Sequence, residues 1–174
     1  MFKKLAVDTI IDFNVHDKRI EFDLNEEGKK IQYFNVSSPY LDDLISSFGS
    51  YSKHFHTSFV MIGADVPPHT DIVDSVNINF YVDAGNFTTN FYNSKDNSHR
   101  STYADHGDGH VYKIDELEKL GSFIAQTGDV YILNGKVIHG VSSPVGSKSI
   151  RKVLQVSSND LEYEKVLDLM RKVC

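Results

Sequence analysis

Two triplets of the form His-x-Asp, His69-Thr70-Asp71 and His106-Gly107-Asp108, are the first places where residue types in this chain could act together on a metal ion. With eight histidines and 17 aspartates, about one such triplet arises by chance, so context must separate the two. His69 and Asp71 stand between the stiff pair Pro67-Pro68 and an apolar alternating run. In an extended backbone residues i and i+2 point to the same side, so this imidazole and carboxylate can share one ion. His106 sits among glycines and aspartates, where nothing aims it, and ranks lower. A third ligand is on offer in His139, alone inside the apolar segment Lys136-Val137-Ile138-His139-Gly140-Val141. Twelve residues further on, Arg151 opens another apolar run, and a guanidinium beside a metal would pair bidentately with a carboxylate. Lys148 competes for that anchoring role.

Other constellations carry less. His54-Phe55-His56 suggests the two-histidine motif of cupins, but that motif needs a glutamate shortly downstream, and none stands between Glu27 and Glu116. The pair reads as a partly exposed strand edge or as lining near a barrel mouth. His106, Asp108 and His110 could form a loop zinc site, yet no closed four-ligand set is visible. They read as a solvated lid that could touch substrate. Gly140-Val141-Ser142 lacks the second glycine of a nucleophile elbow, and no glycine-rich phosphate loop is present. Lys3-Lys4 and Lys29-Lys30 are short, isolated and read as solvated. Taken singly, His139 would be a hydrogen-bonded core histidine and Arg151 a surface charge. Their order and joint placement on predicted strands favour a site.

The elements that must position these residues are mostly strands. Short apolar runs alternate with charged turns such as Asn25-Glu26-Glu27-Gly28 between Leu5 and Phe34, which predicts two or three strands. Ser38-Pro39 caps a short helix ending near Gly49. Strands follow over His56 to Ile62 and over Val76 to Val82. The second of these is half-buried, with Val76, Ile78, Phe80 and Val82 on one face and Asn77, Asn79 and Tyr81 on the other. Phe87 to Tyr92 is its partner. Residues 93–110 are polar and read as one long binding loop or lid. Val130 to Leu133, Val137 to Val141 and Val153 to Val156 are three more strands. Asp160 to Val173 is a closing helix with Leu161, Val166, Leu167 and Met170 as its apolar stripe. Many short strands with little helix imply a sandwich or barrel with helices packed outside.

Composition agrees. The chain has 174 residues, 40% hydrophobic, with nine Tyr and eleven Phe but no Trp, which suits one domain over residues 1–174 with a β-rich core. A formal net charge of -6 gives no general attraction to nucleic acid or anionic membrane. The one cysteine, Cys174, cannot form an internal disulfide, so a reducing compartment is expected. Asp8 and Asp12 break the apolar stretch behind Lys3-Lys4, and no run approaches the ~20 apolar residues of a membrane span, so a cytoplasmic protein is expected.

Two imidazoles and one carboxylate form the facial ligand set of non-haem Fe(II) oxygenases. His69-x-Asp71, His139 and Arg151, in this order and spacing, resemble the Fe(II)/2-oxoglutarate-dependent dioxygenase superfamily, in particular its prolyl-hydroxylase-like members. Asn77-Ile78-Asn79-Phe80-Tyr81-Val82 with Thr88-Thr89-Asn90-Phe91-Tyr92 resembles the strand pair after the first motif. Gly128-Asp129-Val130-Tyr131-Ile132-Leu133, running on to His139-Gly140-Val141, resembles the strands that deliver the distal histidine. The similarity covers roughly residues 56–157, with the N-terminal strands and helix and the C-terminal helix outside that core. It implies a double-stranded β-helix, or jelly-roll, barrel. It further implies Fe(II) on His69, Asp71 and His139, and 2-oxoglutarate anchored on Arg151, with Tyr81 or Asn79 helping to hold it. The reaction would use O2, yield succinate and CO2, and hydroxylate a peptide side chain, a free amino acid or another small molecule. Two alternatives stand beside it: a cupin-like barrel that binds metal without oxidation or serves as a binding module, and a nucleic-acid-directed oxygenase such as a demethylase. Oligomeric state is not legible.

Overall fold

In the computed structural model, which describes residues 1–7, 13–15, 31–71, 73–95, 102–103, 109–146 and 148–173, the clearest alternating run is a strand buried on both of its faces. In chain order the strands are β1 (Phe2–Leu5), β2 (Asn14–Val15), β3 (Ile31–Phe34), β4 (Val36–Ser37), β5 (Phe55–Ile62), β6 (Val66–Asp71), β7 (Val76–Asp83) and β8 (Thr88–Ser94). They continue as β9 (Thr102–Tyr103), β10 (Gly109–Val111), β11 (Leu117–Ile124), β12 (Val130–Asn134), β13 (His139–Ser142) and β14 (Arg151–Ser158). The helices are α1 (Pro39–Ser47) and α2 (Tyr163–Val173).

Two antiparallel sheets of six strands face each other, in the orders β1-β12-β7-β14-β5-β3 and β11-β8-β13-β6-β10-β9. From β5 to β8 the chain steps from one sheet to the other at every strand, and from β11 to β14 it does so again. Each strand of the first series pairs antiparallel with one of the second: β5 with β14, β6 with β13, β7 with β12, and β8 with β11. Two intertwined antiparallel windings of this kind are a double-stranded β-helix. The protein is a jelly roll, as its sequence led us to expect.

The strands β7 and β14 carry two cores. Val153, Tyr81, Phe87, Phe91 and Tyr131 fill the space between the sheets. Ile78, Phe80, Ile132, Leu154 and Val156 point the other way, against Leu41 and Leu44 of α1 and Val166, Leu167, Leu169 and Met170 of α2. The expected half-buried β7 is therefore corrected: the helices cover its apolar face, and its other face, Asn77, Asn79 and Tyr81, is buried as well, inside the barrel. Ser38 caps α1, its Oγ accepting from the Leu41 amide at 3.4 Å, and Pro39 needs no donor at the first helical position.

Two further differences concern strands. Residues 109 and 110, read as the end of a long loop, belong with Val111 to β10, which pairs with β6 at Val111 opposite His69 and Gly109 opposite Asp71. Leu117–Ile124, unassigned from sequence, is the edge strand β11. The expected turn at 25–28, the pair Lys29-Lys30, His106, Asp108 and Cys174 lie outside the described residues. No described helix is long and apolar enough to cross a membrane.

Candidate metal centre

His69 comes from β6 and His139 from β13, where the register sets them directly opposite each other. Adjacent extended strands place such a pair on one face of the sheet. The β6–β13 register shifts between His139 and Val141, beside Pro67 and Pro68 on β6. Gly140 allows this close approach, because a Cβ there would lie 2.9 Å from the Val66 carbonyl oxygen and 3.1 Å from the Pro68 nitrogen. Asp71 ends β6, two residues past His69 on the same side, with its amide bonded to the Gly135 carbonyl at 2.9 Å.

The two imidazoles are oriented alike. His69 Nδ1 lies 2.8 Å from the Pro67 carbonyl oxygen, and His139 Nδ1 lies 2.9 Å from that of Val137. A carbonyl can only accept, so each Nδ1 carries the proton and each Nε2 keeps a free lone pair. Those Nε2 atoms lie 3.4 Å (His69) and 3.8 Å (His139) from Asp71 Oδ1. The three ligand atoms fall within 4.8 Å of one another. The gaps of 3.4 and 3.8 Å suit atoms about 2.0–2.2 Å from a shared ion. The other carboxylate oxygen, Oδ2, accepts from Asn77 Nδ2 at 3.0 Å, and Asn77 Oδ1 accepts from Ser157 Oγ at 2.6 Å. The residues present therefore fit a divalent cation in number, type and orientation.

Electrostatics prepare that state at Asp71 and His139 and oppose it at His69, where a raised pKa favours the protonated ring. Burial pushes the Asp71 carboxyl up, but His139, His69 and the Asn77 hydrogen bond outweigh it and hold the group below the ordinary carboxylate range. Burial lowers His139 and favours the neutral imidazole that a metal needs. Burial also pulls His69 down, yet the contact with Asp71 carries it above its usual value.

All six sequence-derived candidates line one cavity of about 350 Å³: His69, Asp71, His139, Arg151, Tyr81 and Asn79. Arg151 is only 2% exposed and forms no ion pair with a carboxylate among the described residues. Its Nη1 donates to Thr89 Oγ1 at 2.9 Å and its Nη2 to the Phe87 carbonyl oxygen, while Nε is buried without a partner. The guanidinium lies 5.3 Å from the Tyr81 ring centre and 5.4 Å from that of Phe87. Burial lowers the Arg151 pKa from its ordinary value, with Tyr81 opposing. Lys148 is exposed and does not line the cavity. Asn79 Oδ1 accepts from Gln155 Nε2 at 3.1 Å.

The remaining histidines separate. His54 pairs with Asp160 at 2.7 Å, away from the cavity. His56 lines the cavity, 3.3 Å from Asp74. His110 stands opposite Thr70 on β10, so it shares the face of Thr70 and not that of His69 and Asp71. Among the described residues the one group able to hold a metal is His69, Asp71 and His139. Sequence reading left out Asn77, Thr89, Asp74 and Gln155. Asn77 shares the alternating face of Asn79 and Tyr81 and was within reach of that pattern. Thr89 and Gln155 owe their places to pairing between distant strands, and Asp74 to the turn between β6 and β7.

No family model and no curated protein matches this chain. Among solved structures it is similar to vicilin from Corylus avellana, at 12% identity and a TM-score of 0.43, over 78% of this chain and 30% of that one. It is also similar to an oxalate decarboxylase at 16% identity and a TM-score of 0.36, over 63% of this chain and 22% of that one. The third is AviO1 from Streptomyces viridochromogenes Tue57, at 14% identity and a TM-score of 0.36, over 62% of this chain and 52% of that one. The chain thus spans under a third of the length of the vicilin it resembles. The assignment as a jelly roll rests on the strand pairing described above.

Proposed function

We propose that this barrel is an Fe(II)- and 2-oxoglutarate-dependent dioxygenase. The observation that supports it is the sharing of one cavity by two imidazoles and a carboxylate with a buried guanidinium that has no acidic partner among the described residues. A buried charge is expensive to leave unpaired, so Arg151 is suited to an anion that arrives from outside. His69, Asp71 and His139 would hold the metal. When bound, Fe(II) with 2-oxoglutarate and O2 supplies oxidative decarboxylation to succinate and CO2, coupled to hydroxylation of a C–H bond.

The chain's own contribution is placement. Arg151 stands near Thr89, two register steps along β8 from Phe91, which faces His139. This end of the barrel is thus set to take the distal carboxylate of a short dicarboxylate whose other end reaches the metal. Thr89, the Phe87 carbonyl and the Tyr81 ring hold the guanidinium in one orientation. Tyr81 and Asn79 offer a phenol and an amide to the cosubstrate. Val60, Val153 and Val141 close the wall between them against water. The substrate in this reading is a small molecule or a single peptide side chain, handled in the cytoplasm. A 350 Å³ cavity lies at the low end of the range, about 300–1,000 Å³, for small-molecule sites.

Succinate release from 2-oxoglutarate, in protein supplied with Fe(II) under air, tests the proposal. Arg151→Ala should weaken 2-oxoglutarate binding more than about tenfold, as expected for loss of a charge-assisted bidentate pair. Lys148→Ala should leave binding unchanged. Undiminished affinity in Arg151→Ala, or a loss in Lys148→Ala, contradicts the anchor. Metal binding without any succinate would favour a barrel that does not oxidise.

A further inference from the structure

Beyond His69, Asp71 and His139, at the end of the cavity away from Arg151, stands a second carboxylate. Asp74 lies three residues past Asp71, in the turn joining β6 to β7, and lines the same cavity. Its Oδ1 is buried and has no well-formed hydrogen bond among the described residues. The one cation-forming group seen within ion-pair distance is His56 Nε2, 3.3 Å away, whose pKa this contact raises, on a ring whose side chain is 48% exposed. Among the described residues no lysine or arginine other than Arg151 lines the cavity.

The backbone that carries the acid is held firmly. Ser75 bonds through its amide to the Ser158 carbonyl at 2.8 Å and through Oγ to the Asn159 carbonyl at 2.7 Å. The Gly135 amide donates to the Ser75 carbonyl at 3.0 Å. Gly135 also lies so close that a Cβ on it would meet the Asp74 carbonyl oxygen and Asp71 Oδ2, each at 2.5 Å. One turn therefore fixes the backbone that carries both carboxylates, Asp71 beside the imidazoles and Asp74 further along the cavity wall. A cavity-lining carboxylate with a buried acceptor oxygen, faced only by a half-exposed histidine among the described residues, is matched by a ligand that brings its own positively charged donor.

We propose that Asp74 is the specificity-determining group of the substrate end of this cavity, and that the substrate carries a primary ammonium or a guanidinium. The inference rests on the dioxygenase reading for its word "substrate", though the subsite itself does not depend on iron. The ligand's N–H donors satisfy Asp74 Oδ1, and the half-exposed His56 is free to turn aside or to keep a share of the charge. Ser58, Gln155 and Asn79 form a hydrogen-bonded polar row beside it, Ser58 Oγ donating to Gln155 Oε1 at 3.4 Å and Gln155 Nε2 to Asn79 at 3.1 Å. That row suits the polar remainder of a small ligand better than an aliphatic tail.

The test compares matched ligands whose α-amine is masked and which differ only in the side-chain cation: Nα-acetyl-lysine against Nα-acetylnorleucine, and Nα-acetylarginine against Nα-acetylcitrulline. Calorimetric binding is measured with and without Mn(II) plus 2-oxoglutarate. Wild-type protein should bind the charged member of at least one pair at least tenfold more tightly in one of the two conditions. Asp74→Asn should reduce that ratio to near unity, while His56→Gln, which removes the competing ring, should keep it. Equal binding within both pairs overturns the proposal, as does absence of binding by all four compounds, or a preference that survives Asp74→Asn. If Asp74→Asn does not fold, the wild-type ratio and its persistence in His56→Gln decide. Succinate release from the same wild-type preparation, without added amine, reads the dioxygenase proposal separately. Charge preference without succinate keeps the Asp74 subsite and removes the oxygenase, and succinate without charge preference does the reverse.

Discussion

His69 and His139 each commit one ring nitrogen to a backbone carbonyl two residues earlier, and this fixes which nitrogen faces the cavity. Asp71 is divided in the same way, Oδ1 toward the imidazoles and Oδ2 held by Asn77, itself tied to Ser157. Groups that orient metal ligands commonly contribute about 10–100-fold to affinity. Asn77→Ala should therefore lower metal affinity within that range, measured by competition with a chromophoric chelator, although Asn77 would not touch the ion. Unchanged affinity would show that Asp71 needs no such hold. Residue type and strand periodicity take the sequence as far as His69, Asp71 and His139. The tautomers and the division of the carboxylate depend on backbone carbonyls and strand register, which periodicity does not reveal. Arg151 and Lys148 look alike in sequence as cations ahead of a strand. Burial separates them in the fold, since Arg151 points into the barrel and Lys148 is exposed.

At the scale of elements, the turn that carries Gly135 between β12 and β13 sets the end of β6. A side chain at Gly135 would collide with Asp71 and with the Asp74 backbone at 2.5 Å, and backbone cannot step aside cheaply. Gly135→Ala should lower both the melting temperature and the metal affinity. Gly121→Ala on β11 is the control, because its added methyl would meet Met1 Cε at an ordinary 3.5 Å and should leave metal affinity unchanged. Equal effects of the two variants on metal affinity would contradict this account of the turn. Strands differed in how well the sequence showed them. In β7 strict alternation of Val76, Ile78 and Phe80 with Asn77, Asn79 and Tyr81 made the element plain. The strand β11 hid because an edge position leaves Glu118, Lys119 and Leu120 all exposed, which erases the alternation. The short β10 hid because its partner β6 lies almost forty residues upstream, and Gly109-His110-Val111 has no strand pattern of its own.

For the whole molecule, the sheet containing β7 and β14 divides the apolar interior into a barrel side, which holds the site, and a helix side, which holds α1 and α2. Met170 on α2 is 1% exposed and belongs to the helix side. Met170→Ala should destabilise the fold by about 2–5 kcal/mol in urea unfolding, the usual range for such a truncation. The metal affinity of the folded variant should stay at the wild-type value. A parallel loss of both would mean that the two cores are not independent. The barrel class was legible from the count and spacing of short apolar runs. The double burial of β7 was not, because its polar face of Asn77, Asn79 and Tyr81 is enclosed only when the second sheet closes over it.

Anaerobic titration of the Fe(II)-loaded protein with 2-oxoglutarate tests the central claim most directly. A weak visible charge-transfer band should grow with the keto acid, vanish in His139→Ala, and require much more 2-oxoglutarate in Arg151→Ala. Iron bound without a band, or no iron bound at all, would contradict the claim that His69, Asp71, His139 and Arg151 together form a keto-acid-dependent iron site.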